Sequence, residues 1–404
     1  MKVLQLCKKF PYPPKDGESI AITSLARALG LQGAEVTLLA MNTTKHFVDT
    51  TALPAAFDHY RAYHAVPVDN RLRIWPALRN LLSDESYHIA RFVSAAFGER
   101  LVELLRREDF DVVQLETLYL APYIDLIRQH SRALVVMRAH NVEHEIWGRM
   151  TVHTRNPLKR WYLRHLTAKL RRYEWQSLNR YDLLLPISAP DLATFRAAGS
   201  TTEAIVTPIG LDPARYTVAP LAGQAPLRLG FIGSLDWMPN QEGLLWFVRR
   251  VWPGLRAAYP DLELHVAGRN TPPAIQNLRV PGITVHGEVP CARTFLRRYP
   301  VLLVPLLSGS GMRAKIVEGM ALGKAVLTTR VGLEGIGARQ RESVLIADTP
   351  AEFLSTLHWL HRQPERLRGV GLLARRYFEH HYDHRVVANR LLRRYEALVG
   401  TPVG

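Results

Sequence analysis

The chain has 404 residues, too many for one ordinary hydrophobic core and enough for two domains. Apolar residues make up 47%, which excludes a disordered chain, and no apolar run reaches the ~18 residues of a membrane span. The net charge of +16 admits nucleic acid, an anionic substrate or an anionic membrane surface as partners, and alone selects none of them.

The opening MKVLQLCKKFPYPP has only a short apolar segment before Lys8, Lys9 and Pro11, and reads as a first strand rather than a signal peptide. Cys7 and Cys291 lie far apart and show no zinc spacing, so a reducing, cytoplasmic setting is expected. Strand-like runs then follow: VLQLC (3–7), EVTLLA (35–40), DVVQL (111–115), ALVVM (133–137) and DLLLPI (182–187). Nearly continuous β-branched runs of this kind suit strands buried on both faces. Between the first two lies SIAITSLARALGLQG, a helix predicted to end near Gly30 to Gly33. Residues 149–180 carry nine Arg and Lys, among them Arg155, Arg160, Arg164 and Lys169, against one acid, Glu174, with Trp161, Leu166, Leu170 and other apolar residues interleaved. Such a helix rests on anionic lipid, or packs on its own domain with a solvated basic face.

The segment 207–226 contains Pro208, Pro213, Pro220 and Pro226 and reads as an interdomain linker. The strand series restarts beyond it with LRLGFI (227–232), LELHVAG (262–268), ITVHG (283–287), VLLVPL (301–306) and AVLTT (325–329). The expected division is an N-terminal domain over 1–207, a second over 208–384, and a C-terminal helix over 385–404 that packs back towards the first. Alternating strands and helices predict an α/β protein with two doubly wound, Rossmann-like parallel sheets. Ligand groups should then directly follow strands.

The stretch SGSGMRAK (308–315) does so. Gly309 and Gly311 let the backbone approach a ligand, and the free amides of the next helix point at it. Arg313 and Lys315 fall in the first turn, where the helix dipole disfavours cations. An anion resolves that conflict, and a diphosphate suits it because arginine can grip it bidentately while lysine adds a point charge. The bland alternative turns both side chains into solvent. Glu318, one turn on, could hold ribose hydroxyls or simply pair with Lys315. The P-loop pattern GxxxxGK[ST] is absent. Asp111-Val112-Val113 and Asp261-Leu262-Glu263 read as strand starts rather than metal ligands, so no metal is expected.

GSGMRAKIVEGMALGKAV, followed by TTRVGLEGI, resembles the donor-binding signature of the group 1 (family 4) glycosyltransferases of the GT-B fold. FIGSLDWMPNQEGLLWF (231–247) resembles the opening of their second domain, and the Pro-rich loop before residue 17 resembles their N-terminal start. RAHNVEHEIW (138–147) resembles a His-Asn-x-Glu segment of an exopolysaccharide-type subgroup. The resemblance implies two domains facing a cleft. It implies transfer of a hexose from a nucleotide diphosphate sugar to an acceptor hydroxyl, with retention, without metal and without a cofactor. Arg313 and Lys315 would hold the diphosphate and Glu318 the ribose, within a donor set that also includes Gly233, Ser234, Gly309, Ser310, Gly311 and Met312. His140, after the strand ALVVM, would reach the transferred sugar, with Glu143 and Glu145 as lesser candidates that alternatively cap the next helix.

Three departures stand out. The first Glu of the family's E-x7-E pattern falls at Ser310. The familiar cations after the second domain's first strand are replaced by Gly233-Ser234, with Asn240 near a common lysine position, so Arg313 and Lys315 are expected to take that role. Gly17-Glu18 replaces a Gly-Gly pair, leaving Asp16, Gly17 and Glu18 either to read an acceptor or to form a solvated turn. The implied partners are a nucleotide-sugar donor and a glycan or polyprenyl-linked acceptor. A peripheral contact with the inner face of the plasma membrane is a further expectation, and nucleic acid is not expected. A non-hydrolysing nucleotide-sugar epimerase and a non-catalytic nucleotide-sugar-binding protein share the expected fold and remain alternatives.

Overall fold

The computed structural model describes residues 1–54, 57–71, 80, 83–152, 154, 156–218, 227–309 and 311–400. Ser310, Arg155 and the linker residues 219–226 therefore lie outside the described residues. The chain forms two compact units, Met1–Gly210 with His384–Gly404, and Leu211–Asp383.

Unit 1 contains β1 (Lys2–Cys7), β2 (Glu35–Thr43), β3 (Ala62–Val68), β4 (Val112–Leu115), β5 (Leu134–Ala139) and β6 (Leu183–Pro186). Unit 2 contains β7 (Arg228–Ser234), β8 (Glu263–Arg269), β9 (Ile283–Gly287), β10 (Val301–Val304), β11 (Ala325–Thr328) and β12 (Leu345–Ile346). The strand orders are β3-β2-β1-β4-β5-β6 and β12-β11-β10-β7-β8-β9, and neighbouring strands are parallel throughout. Both are doubly wound sheets, and the order reverses between β1 and β4 in one and between β7 and β10 in the other.

Two strands go beyond the sequence expectation. β3 is an edge strand paired only with β2, and it carries Pro67, which an edge tolerates. Its alternating, part-exposed residues lack the apolar run of a central strand. β12 is only two residues long.

The helices that frame the sites are α1 (Gly17–Leu31), α2 (Ala95–Arg107), α3 (Glu143–Val152) and α4 (Pro157–Ser177) in unit 1. Unit 2 supplies α5 (Met238–Arg250), α6 (Ala314–Ala321), α7 (Pro350–Arg362) and α8 (Pro364–His381). The chain then returns to unit 1 as α9 (His384–Val399). In α1, Ala21, Ile22, Leu25, Ala26 and Leu29 recur at helical spacing and are buried, which gives one apolar face. That face shares a core with Val3, Val36, Val136 and Leu185 of the sheet and with Val387, Leu391, Leu392 and Tyr395 of α9. α2 and the inward residues of α4 close the opposite face, around Leu4, Leu6, Val113, Val135, Leu101 and Leu170.

The basic segment is only partly a surface. Lys169 is buried and its ammonium donates to the carbonyls of Asn80 and Ser83, both at 2.5 Å. Glu174, the segment's single acid, is buried too. Its carboxylate accepts from the amides of Glu143 at 2.9 Å and His144 at 3.1 Å, and so caps α3. The cap expected from Glu143 or Glu145 is thus supplied from 30 residues away in sequence. The outer face of α4 keeps Leu158, Lys159, Trp161, Arg164, Arg171, Arg172 and Trp175 exposed. No described helix is long and apolar enough to cross a membrane.

Candidate functional site

In unit 2 the strand-order reversal places the ends of β7 and β10 side by side. β10 runs into the glycine loop, where Gly309 and Gly311 adopt φ of 130° and 72°, values that favour glycine. Arg313 is the N-cap of α6 and its own side chain makes no cap bond; the Ile316 amide bonds back to the Arg313 carbonyl at 2.9 Å. The Arg313 side chain is buried against the loop. It donates to the carbonyl of Gly311 and, at 3.4 Å, to that of Val331, and it lies 3.8 Å from the Glu334 carboxylate. Its guanidinium stands 6.0 Å from the centre of the Trp237 ring. Met312, between loop and cap, is half-buried.

Lys315 turns back to the end of β7. Its ammonium donates to the Ile232 carbonyl at 3.1 Å and to Asn240 Oδ1 at 2.7 Å. Asn240 Nδ2 in turn donates to the Ser234 carbonyl at 2.7 Å. A Cβ on Gly233 would stand 2.7 Å from Asn240 Nδ2 and 2.9 Å from the Lys315 ammonium, so any larger residue there would displace these two side-chain ends. Both cations therefore turn inward, and neither lies free in solvent. Burial, and then the neighbouring Arg313, push the Lys315 ammonium down to about 7, against the pull of Glu318. Instead of an i,i+3 pair with Lys315, Glu318 accepts from the Tyr216 hydroxyl at 2.9 Å. Burial pushes its carboxyl above the usual range, opposed by that bond, Arg293 and Lys315. Two crowded cations at the start of a helix are an arrangement that an anion would relieve.

Unit 1 gathers a second set at its own reversal. Asp16 is the N-cap of α1: it accepts from the Ser19 amide at 2.9 Å and pairs with Lys9 at 2.8 Å. Gly17 starts the helix, and Glu18 in its first turn pairs with Lys8 at 3.1 Å. The expected solvated turn is thus a paired, capped helix start. Burial pushes the Glu18 carboxyl up, but Lys8, Lys9 and His140 together hold it below its usual range. The Lys8 ammonium lies 4.6 Å from the Tyr119 ring centre. The Tyr119 hydroxyl donates to Glu143 at 2.9 Å. Burial raises the Glu143 carboxyl to about 7; Lys8 opposes the rise and Glu174 adds to it. Glu145 instead pairs with Arg149 at 3.1 Å. His140 follows β5 and its Nε2 meets Glu116 at 2.9 Å. Among the described residues, no group of three His, Cys, Asp or Glu side chains is placed to hold a metal ion.

Sequence reasoning did not find Glu116, Lys8, Tyr119, Trp237 or Tyr216. Glu116 and Lys8 directly follow strands β4 and β1 and were accessible by the rule that found His140. Tyr216 reaches Glu318 across 102 residues and had no local signal.

Residues 226–363, most of unit 2, match the family model described as Glycosyl transferases group 1. The second unit of the chain is thus similar to the group 1 glycosyltransferases. The chain has the two-sheet GT-B fold of its structural neighbours. It superposes on Anabaena Alr3699/HepE, solved in complex with UDP, with a TM-score of 0.67 at 14% identity, covering 98% of this chain and 100% of that one. Sucrose-phosphate synthase from Thermosynechococcus elongatus gives 0.70 at 14% identity, covering 98% and 99%. A 44.6 kDa Klebsiella pneumoniae protein of the cps region is 22% identical over 172 residues, which span 40% of this chain and 44% of the relative.

Proposed function

We propose that the protein transfers a hexose from a nucleoside diphosphate sugar to an acceptor hydroxyl, with retention and without a metal, in the making of a bacterial exopolysaccharide or other cell-surface glycan. The observation that carries this reading is the placing of Arg313 and Lys315 together at the glycine-led start of α6, at the point where the strand order of unit 2 reverses. Lys315 brings its ammonium to the end of β7, where the sequence itself offers only Gly233-Ser234. The diphosphate would displace the internal partners of these cations, and Glu318 would face the ribose. Support for a nucleotide sugar comes from the Anabaena protein, also solved with UDP-glucose, and for a glycan product from the cps-region relative. Catalysis then rests on orientation and on neutralising the leaving diphosphate. The leaving phosphate oxygen would take the acceptor proton on the same face, and His140 would hold the transferred sugar or its acceptor.

A thermal-shift screen of UDP-, GDP-, ADP- and TDP-sugars, followed by a transfer assay in chelator, tests the reading. Selective stabilisation and transfer are expected. Epimerisation of the donor without any acceptor would reassign the chemistry, and absence of donor binding would overturn it. Glu318→Gln should weaken a nucleoside diphosphate more than inorganic diphosphate, since the carboxylate is assigned to the ribose. Equal losses in titration calorimetry would remove that role.

The acceptor is proposed to be polyprenyl-linked, reached by a peripheral contact of the protein with the cytoplasmic leaflet. Support comes from the outer face of α4, where Leu158 and Trp161 are 79% and 61% exposed beside Lys159, Arg164, Arg171 and Arg172. Sedimentation with anionic vesicles should be strong at low salt and fall as salt shortens the Debye length to roughly 8 Å at physiological strength. Equal sedimentation with neutral vesicles, or none with anionic ones, would leave α4 as a solvated basic face.

A further inference from the structure

The Glu116 carboxylate is completely buried in unit 1, with four partners. Oε1 accepts from Gln5 Nε2 at 2.5 Å and from Gln114 Nε2. Oε2 lies 2.9 Å from His140 Nε2 and 3.5 Å from Arg138 Nη1. The strand register explains how they meet. Gln5 pairs with Gln114 across β1 and β4, and Gln114 with Val136 across β4 and β5. Side chains two residues on lie on the same face of a strand, so Glu116, Arg138 and His140 join that row. The row is enclosed from above. Arg138 Nη1 donates to the Ala21 carbonyl of α1 at 3.1 Å, Tyr60 donates to Gln5 at 2.9 Å, and Tyr395 of α9 donates to Gln114 at 2.6 Å.

Stability alone does not account for this layer. Buried ion pairs are commonly no better than well-packed apolar residues of the same size. Here Arg138 Nε and Nη2 are also buried without partners, which adds to the cost. Three adjacent strands give up inward positions near their carboxyl ends to polar groups. All of these groups bear on the one carboxylate that holds His140.

We propose that Glu116 is the positioning residue of His140, fixing the imidazole with Nε2–H towards the protein and Nδ1 as the atom offered to the sugar or its acceptor. The proposal deepens, and for its role in turnover rests on, the transfer reading above. An ionised Glu116 only accepts, so the Nε2 it faces must carry the proton. Burial pushes the Glu116 carboxyl up, but Arg138 and the bonds from His140 and Gln5 bring it below its usual range, which keeps that acceptor ionised. Neutral His140 then presents an Nδ1 lone pair, and protonated His140 presents an Nδ1–H stabilised by the carboxylate behind it.

The first test needs no variant. Long-range ¹H–¹⁵N spectra of the ligand-free wild type, with the ring assigned by its loss in His140→Ala, should show neutral His140 as the Nε2–H tautomer. An Nδ1–H tautomer overturns the proposal, whether or not the protein transfers sugar. The second test is Glu116→Gln, with folding checked by circular dichroism. The imidazole should lose its single tautomer in the same spectra, because an amide can donate as well as accept. kcat should fall on the order of tenfold or more, with donor Kd unchanged and with partial rescue in Glu116→Asp. An unchanged Nε2–H tautomer with unchanged kcat in a folded variant would sink the assignment. A changed tautomer in a protein that transfers nothing would sustain the positioning role and overturn the transfer reading instead.

Discussion

Deleting residues 384–404 should unfold unit 1 and leave unit 2 standing. The helix removed, α9, buries Val387, Leu391, Leu392 and Tyr395 in the same core as the apolar face of α1 and five strands of the first sheet. Fully burying side chains of this size stabilises by ~1.5–3 kcal/mol each, so the four together contribute roughly 6–12 kcal/mol, taken as an upper bound. That is the size of a domain's whole stability, ~5–15 kcal/mol. The deletion also strips the Tyr395 hydroxyl from the buried Gln114 and opens the polar layer under His140 to water. The sheet of unit 2 and α5 to α8 lie within 211–383. Limited proteolysis of the 1–383 fragment should digest the first unit and spare a resistant core starting near Leu211. Two intact cooperative unfolding transitions in that fragment would show α9 to be dispensable.

Replacing Arg313 or Lys315 by alanine should each weaken nucleoside diphosphate binding by ~1.5–3 kcal/mol, the range for hydrogen bonds to charged groups. At about 1.4 kcal/mol per decade this is roughly a 10- to 100-fold rise in Kd. The two variants should differ in kind. Arg313 is pinned by the Gly311 and Val331 carbonyls and lies near Glu334, so Arg313→Lys keeps the charge but loses the planar fork. It should recover only part of the loss. Lys315 acts as a point charge held by Asn240. Lys315→Arg brings a larger head into a place already within 2.9 Å of a Gly233 Cβ position, and should rescue poorly. Titration calorimetry with the nucleotide that stabilises the wild type most would measure both. Wild-type affinity in both alanine variants would remove the diphosphate from this loop.

The sheets were legible in the sequence wherever a strand is buried on both faces, because such strands read as unbroken apolar runs. β3 escaped because it lies at an edge, where one side is unpaired and Pro67 does no harm. Arg313 and Lys315 were legible because glycines, a helix start and misplaced cations coincide over eight residues. The inward turn of Lys315 to Asn240 was not, because it depends on where α6 sits against β7. Glu174 misled in the opposite way. Beside so many cations it reads as the acid of a charged surface, yet its work is to cap a helix whose first residue lies 31 positions earlier. Glu116 shows the same limit: its partners come from β1, β4 and β5, and only strand register brings them to one carboxylate.

The depressed ammonium of Lys315 has a thermodynamic consequence for ligand exchange. With its acidity near 7, the empty site holds the extra proton only part of the time at neutral pH. A bound diphosphate favours the charged form, so binding above that pH draws a proton from solution, while below it the proton is already in place. Donor affinity should then fall as pH rises through the acidity of the empty site, by as much as about tenfold per unit, since each pH unit is worth ~1.4 kcal/mol for one linked proton. The heat of binding would also carry the ionisation enthalpy of whichever buffer gives up that proton. Departure of the spent nucleotide returns the proton, so each turnover would pass up to one hydrogen ion, most at high pH, into and out of this site without net consumption.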